Sequence, residues 1–192
     1  MKNTSVLITG VGGQGTLFAS KVFGQLALNM GFDVKLSEVH GMAQRGGSVV
    51  THVRFGKKIA SPIIDKGGAD IILSFELMEA MRWLDYLKKD GKAYVNEQKI
   101  LPLPVITGAA EYPDDLKEAI TAQAGSAVFV DALSLALEAG SAKSVNTVML
   151  GVLAKSLPEI PEEEWEKAIG QVCKPAFVDM NLTAFKKGYQ AV

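Results

Sequence analysis

The sequence predicts an α/β protein: one domain with a mainly parallel sheet, helices on both faces and a helical C-terminal third. Three observations carry that expectation. The chain opens on "SVLITG", a short apolar run ending in glycine, and passes at once into a segment with helical spacing. Apolar runs of strand length then alternate with helical segments as far as "AVFVDA". Beyond that point every periodic segment is helical. No repeat, charge block or linker-like stretch divides the chain, so residues 1–192 read as a single domain with room for a full core.

Each element has its own justification. After the first strand, Phe18, Val22, Leu26 and Met30 recur on one helical face, and Gly31 stops the helix. "FDVKLSE" follows as a second strand, so the opening reads as a βαβ unit with a parallel pair. "SVVTHVRFG" alternates with a period of two and predicts a strand whose Ser48, Val50, His52 and Arg54 face is the wetter one. "GKKIASPIID" reads as a turn and a short edge strand limited by Pro62. "ADIILSF" is a buried strand, and "ELMEAMRWLDYLKK" a helix with Leu77, Met81 and Leu84 inward. "KAYVNE" and "KILPLPVITG" read as strands, the second made irregular by its prolines. "YPDDLKEAITAQ" starts a helix at Pro113 and Asp114, and "AVFVDA" is the last strand. The helices "LSLALEAG", "NTVMLGVLAKSL", "PEEEWEKAIGQV" and "PAFVDMNLTAFKKGYQAV" complete the chain, with Asn146 expected as an N-cap.

Composition narrows the function. A hydrophobic content of 48% with 21% charged residues is that of a globular protein, and a formal charge of −1 gives no general attraction to nucleic acid or anionic lipid. The N-terminal apolar run is too short for a signal-peptide core, and no segment reaches membrane-spanning length, so a cytoplasmic protein is expected. The single cysteine, Cys173, excludes an internal disulfide and any cluster or zinc site built from the chain's own thiolates. The two histidines, His40 and His52, lack metal-ligand spacing, so no metal site is expected.

Two stretches carry chemistry. "GVGGQG" sets Gly10, Gly12 and Gly15 in G-x-G-x-x-G register between a strand and a helix, the context of a Rossmann-like phosphate turn. Gly12, Gly13, Gln14, Gly15 and Thr16 are then candidates to receive an anion on backbone N–H groups at the helix start. A tight turn needs glycine even when it binds nothing, so both readings stay open. Glu38 follows the second strand but lies well past the spacing of about twenty residues at which an acid holds a nicotinamide ribose. A nicotinamide dehydrogenase and a stand-alone nucleotide-binding regulatory module are therefore rival readings. The second stretch, "SEVHGMAQRGGSVV", sets Arg45 beside Gly46 and Gly47, where a guanidinium can reach a phosphate or carboxylate with little obstruction. Glu38, His40, Gln44, Gly46, Gly47 and Ser48 complete a loop suited to packing against a partner. No residue is assigned a catalytic role.

Together, "ITGVGGQGTLFASKVFGQLA" and "SEVHGMAQRGGSVVTHVRFG" resemble the gamma domain of the pyruvate and 2-oxoacid:ferredoxin oxidoreductases, most narrowly its indolepyruvate-linked small beta subunits. Pyruvate and 2-oxoglutarate members read closer to "GPEARGG" where this chain has "GMAQRGG". The similarity continues through "ADIILSFELMEAMRWLDYL" and "NTVMLGVLAKSL". The resemblance implies an accessory subunit in the oxidative decarboxylation of an arylpyruvate to an acyl-CoA. It also implies a large alpha partner carrying thiamine diphosphate and iron–sulfur clusters, with ferredoxin as electron acceptor. Pyruvate, 2-oxoglutarate or a branched-chain 2-oxoacid is the rival substrate. Under this reading Gly12 to Thr16 and Arg45 either receive coenzyme A phosphates or form a backbone surface that docks the partner.

Overall fold

The computed structural model describes residues 3–41 and 46–192. Its elements are β1 (Thr4–Val11), α1 (Thr16–Asn29), β2 (Asp33–His40), β3 (Ser48–Gly56), β4 (Ala69–Ser74), α2 (Leu77–Trp83) and β5 (Leu87–Asn96). They continue as α3 (Leu103–Ile106), α4 (Leu116–Ala124), β6 (Ala127–Val130), α5 (Ala132–Glu138), α6 (Val145–Lys155), α7 (Glu162–Val172) and α8 (Val178–Gln190). The strands form one six-stranded sheet in the order β2-β3-β1-β4-β5-β6. β1, β4, β5 and β6 pair in parallel, while β3 runs antiparallel to both β1 and β2.

The expected parallel pairing of β1 with β2 is corrected here. β3 inserts between them, pairing from Thr4↔Phe55 to Val11↔Ser48 on one side and from Asp33↔Gly56 to His40↔Val49 on the other. The link between β2 and β3 is too short for a crossover, so they close as an antiparallel hairpin. β3 is apolar enough to be covered on both faces, whereas β2 carries Lys35, Glu38 and His40 and stays mostly exposed at the sheet edge. Charge on an edge strand also discourages pairing with another chain.

The two faces bury separate apolar layers. On one, Val6, Ile8, Val53, Phe55 and Leu73 meet α1, α5, α6, α7 and α8, with Trp165 packed edge-on to Phe23 at 5.1 Å. On the other, Leu7, Val50, Ile72 and Val95 meet α2 and α4. Helices α6 and α8 approach backbone to backbone, because a Cβ at Gly188 would lie 1.9 Å from the Val148 carbonyl oxygen.

Two expected strands are absent. Residues 57–68 cross the α2 face as an irregular strap held by the Arg54 guanidinium, which donates to the Ser61 and Ile63 carbonyls at 3.0 and 3.2 Å. The stretch 99–108 is a loop with the one-turn helix α3, because Pro102 and Pro104 remove the donors a ladder would need. The strap and Tyr86 also cover the β3 face expected to be wetter, so Val50 and His52 are buried.

His52 shows what that covering requires. Its Nδ1 accepts the Ile64 N–H at 3.1 Å, so the neutral ring carries its proton on Nε2, and burial holds its pKa below the ordinary histidine value. A folded-state pKa below the unfolded one contributes stability that is present above about pH 6.5 and is lost as pH falls through the folded value. Urea denaturation from neutral pH downward is expected to show this loss, and His52→Phe to remove it. The variant itself should cost about 1–3 kcal/mol by leaving the Ile64 N–H unpaired.

Candidate functional site

The glycine turn stands at the carboxyl end of β1, between β1 and α1, where ligands enter α/β sheets. Gly13 and Gly15 have φ of 107° and 89°, which L side chains rarely adopt. The Gly12 N–H donates to the Gly47 carbonyl at 2.8 Å, and the Gly46 N–H returns to the Gly12 carbonyl at 3.2 Å. The two glycine-rich stretches are therefore one surface. Arg45 and Gln44 lie outside the described residues.

This contact changes which N–H groups face outward. Gly12 is consumed by Gly47, and the Gln14 N–H by the Val11 carbonyl at 3.1 Å, so the expectation that Gln14 presents a free N–H is corrected. The Gln14 side chain also turns inward, accepting from the Val11 N–H at 2.7 Å and donating to the Phe75 carbonyl at 2.8 Å. The N–H groups of Gly13, Gly15, Thr16 and Leu17 have no hydrogen-bond partner among the described residues. They lie at the start of α1, whose dipole favours an anion.

The loop residues divide between the two faces of the sheet. Glu38 and His40 join Gly12, Gly13, Gly15 and Thr16 around a hollow of about 410 Å³ on the α1 side. Glu38 accepts from the Thr51 hydroxyl at 3.4 Å, and the ring of the exposed His40 lies 3.2 Å from the Gly41 carbonyl. Ser48 faces α2 instead. Its hydroxyl donates to the Glu79 carboxylate and accepts from the Trp83 indole N–H at 3.4 Å, while Arg82 Nε holds the other Glu79 oxygen at 3.2 Å. Gly46, Gly47 and Ser48 border a hollow of about 300 Å³ shared with Glu76, Glu79 and Leu103.

Three residues outside the predicted site hold this end of the molecule together. Glu76 is 1% exposed and caps α2 by accepting the Glu79 N–H at 2.9 Å. Its other oxygen accepts the Ile100 N–H at 3.1 Å and the Tyr112 hydroxyl at 2.5 Å, so one carboxylate fixes the loop from 97 to 112. Burial and the neighbouring Glu76 push the Tyr112 hydroxyl pKa well up, keeping it a donor. Asn96 donates to the Phe75 carbonyl at 3.0 Å and accepts the Ala132 N–H at 3.2 Å, tying β4 to α5. Asn146 is not an N-cap as expected. It lies inside the first turn of α6, one residue after the helix begins at Val145, and its amide donates to the Gly15 carbonyl at 3.4 Å. Glu76 was legible only as an acid at the carboxyl end of a parallel strand. Asn146 was legible only as a residue at a helix start, because its contact with Gly15 is made across 131 residues.

Asp131 and Cys173 are structural in their surroundings. Asp131 caps α5 through the Ser134 hydroxyl and N–H, which together hold its carboxyl pKa below the usual range. Cys173 ends α7, half-buried, and burial pushes its thiol pKa up. Among the described residues no cluster of acids, histidines or cysteines has the arrangement of a metal site.

Comparison with known proteins places this geometry. The profile of pyruvate ferredoxin/flavodoxin oxidoreductase matches residues 5–191. The chain belongs to that family. The indolepyruvate oxidoreductase subunit IorB of Thermococcus kodakarensis is 41% identical over 196 aligned positions, covering 100% of this chain and 96% of the relative. Among solved structures, the pyruvate oxidoreductase subunit PORC of Thermotoga maritima superposes with a TM-score of 0.76 at 24% identity, covering 100% of this chain and 97% of that one. The 2-oxoglutarate:ferredoxin oxidoreductase of Magnetococcus marinus, solved with 2-oxoglutarate, coenzyme A and succinyl-CoA, gives a TM-score of 0.73 at 18% identity. There all of this chain matches 31% of a longer polypeptide. The family fold thus occurs both as a separate subunit and as part of a larger chain. In this member no helix among the described residues is long and apolar enough to cross a membrane.

Proposed function

We propose that this chain is the accessory beta subunit of a cytoplasmic, ferredoxin-dependent oxidoreductase that decarboxylates indolepyruvate or a related arylpyruvate to an acyl-CoA. The observation that carries the reading is full-length identity of 41% to an indolepyruvate oxidoreductase small subunit, at nearly equal chain length. The sequence agrees, since one cysteine cannot ligate an iron–sulfur cluster. Thiamine diphosphate and the clusters belong to a large alpha partner, and they supply carbanion stabilisation and electron transfer.

On this reading the chain contributes a surface. The backbone bonds of Gly12 with Gly46 and Gly47 join the two glycine-rich stretches at the carboxyl end of β1. Beside it Leu103 and Ile106 stand 71% and 65% exposed, an apolar flank suited to a protein partner. The outward N–H groups of Gly13, Gly15, Thr16 and Leu17 are the place for coenzyme A phosphates, and Arg45 is a second candidate contact.

The experiment is co-expression with the large partner and capture on a tag carried by this chain, followed by dye reduction with a panel of 2-oxoacids. The expected result is a stable complex that turns over indolepyruvate at least tenfold faster than pyruvate, 2-oxoglutarate or a branched-chain acid. Preference for one of the latter would move the chain to a gamma-subunit assignment.

A further inference from the structure

Residues 101–110, "LPLPVITGAA", carry no charge, yet none of them is buried in the core. They form an arm between β5 and α4, built around the α3 turn. Leu101, Leu103 and Ile106 are 48%, 71% and 65% exposed, and the stretch from Thr107 to Ala110 is exposed as well. A run of apolar side chains standing in water along one arm marks an interaction surface.

The arm is ordered from both ends. Glu76 ties down its base by accepting the Ile100 N–H at 3.1 Å and the Tyr112 hydroxyl at 2.5 Å. Within it, the Thr107 N–H donates to the Leu103 carbonyl at 2.9 Å, and the N–H groups of Ala109 and Ala110 donate to the Pro104 carbonyl at 2.8 and 3.1 Å. Pro102 and Pro104 fix their own φ. An arm held this way before contact loses little freedom on binding. At its base, Met78, Ile100, Pro102 and Leu103 wall part of a hollow of about 300 Å³, room for an apolar side chain from another molecule. Arg82 also borders that hollow, already paired with Glu79 at 3.2 Å.

The charges next to the arm decide what can cover it. Between 97 and 118 the chain carries Glu97, Glu111, Asp114, Asp115 and Glu118 against Lys99 and Lys117. Both lysines are occupied, Lys117 by Glu97 at 2.6 Å and Lys99 by Asp114 at 3.8 Å. Glu111, Asp115 and Glu118 are exposed and make no ion pair among the described residues. The arm is therefore an uncharged centre with an acidic border at its α4 end. That border repels an anionic lipid surface. A second copy meeting it through the same arm would bring the same acids and no unpaired lysine. The complementary surface is an apolar patch with a basic border.

We propose that the arm 101–110 docks the large partner subunit, on an apolar patch of that subunit bordered by lysine or arginine. The proposal rests on the reading that this chain is an accessory subunit. Leu103 and Ile106 then carry the contact, while Glu111, Asp115 and Glu118 set its orientation and its rate of formation.

The test is the kinetics of the purified chain binding to the immobilised large partner. It compares wild type, Leu103→Ser/Ile106→Ser and Glu111→Lys/Glu118→Lys. All four positions are exposed, so the urea midpoints of both variants are expected to stay near that of wild type. The apolar pair is expected to raise Kd about tenfold or more. The reversed charges are expected to slow association about tenfold at low salt, with the difference closing as salt is raised. Wild-type binding by either variant overturns the docking assignment and leaves the accessory-subunit reading standing. So does sedimentation of the isolated chain as a dimer that Leu103→Ser/Ile106→Ser dissociates, since the arm then serves a second copy. If wild type forms no complex with the large partner at any salt concentration, both fall.

Discussion

Glu76→Ala is expected to cost about 3 kcal/mol or more, because it strands several groups at once. The native carboxylate accepts the Glu79 N–H, the Ile100 N–H and the Tyr112 hydroxyl, and the residue is almost fully buried. A bond to a charged acceptor contributes roughly 1.5–3 kcal/mol, and a buried donor left unpaired carries its own desolvation cost. Loss of the α2 N-cap adds to this. Urea denaturation measures the total, and protease cleavage between 97 and 112 locates it, since that loop loses its anchor. Glu76→Gln should recover only part of the stability, because its amide nitrogen must face at least one donor. A loss under about 1 kcal/mol for the alanine variant would mean that water replaces the carboxylate and that Glu76 does not organise this end of the sheet.

Gly15→Ala is the second large effect, expected at roughly 2–4 kcal/mol. The residue has φ of 89°, and a Cβ there would lie 2.2 Å from the Asn146 amide nitrogen. Backbone strain and the side-chain clash are separable. Adding Asn146→Ala removes the clash and leaves the strain, so the double variant should recover part of the loss. Gly13→Ala is the control, with φ of 107° but nothing within 4 Å of the added methyl, so it reports strain alone. Equal costs at the two glycines would remove Asn146 from the account of why Gly15 is glycine.

Much of this architecture was legible in residue order. The run "SVLITG", the glycines after it and the spacing of α1 announced a strand, a tight turn and a helix, and all three are present. The later helices α7 and α8 were readable because their apolar residues repeat with helical period, whereas α6 is an apolar run buried from Val145 to Ala154 and was legible by its length and composition. Strand order was less accessible. "DVKLSEVH" follows α1 just as the second strand of a parallel pair would, yet its charges suit an edge, and only the pairing of β3 with β1 shows why. The site was legible in part. Its glycines stand out locally, but the contact of Gly12 with Gly47 depends on β3 reaching β1. The contact of Asn146 with Gly15 depends on α6 packing across the turn. Such long-range contacts leave no local period to read.

The central claim is that this polypeptide lends a surface to chemistry performed elsewhere. Indolepyruvate-dependent dye reduction, with coenzyme A present, tests it in three arms: the chain alone, the large partner alone, and the two mixed. The account predicts no turnover by the isolated chain and turnover in the mixture that exceeds the partner's own. Sustained turnover by the isolated chain, or a mixture no faster than the partner alone, would contradict it.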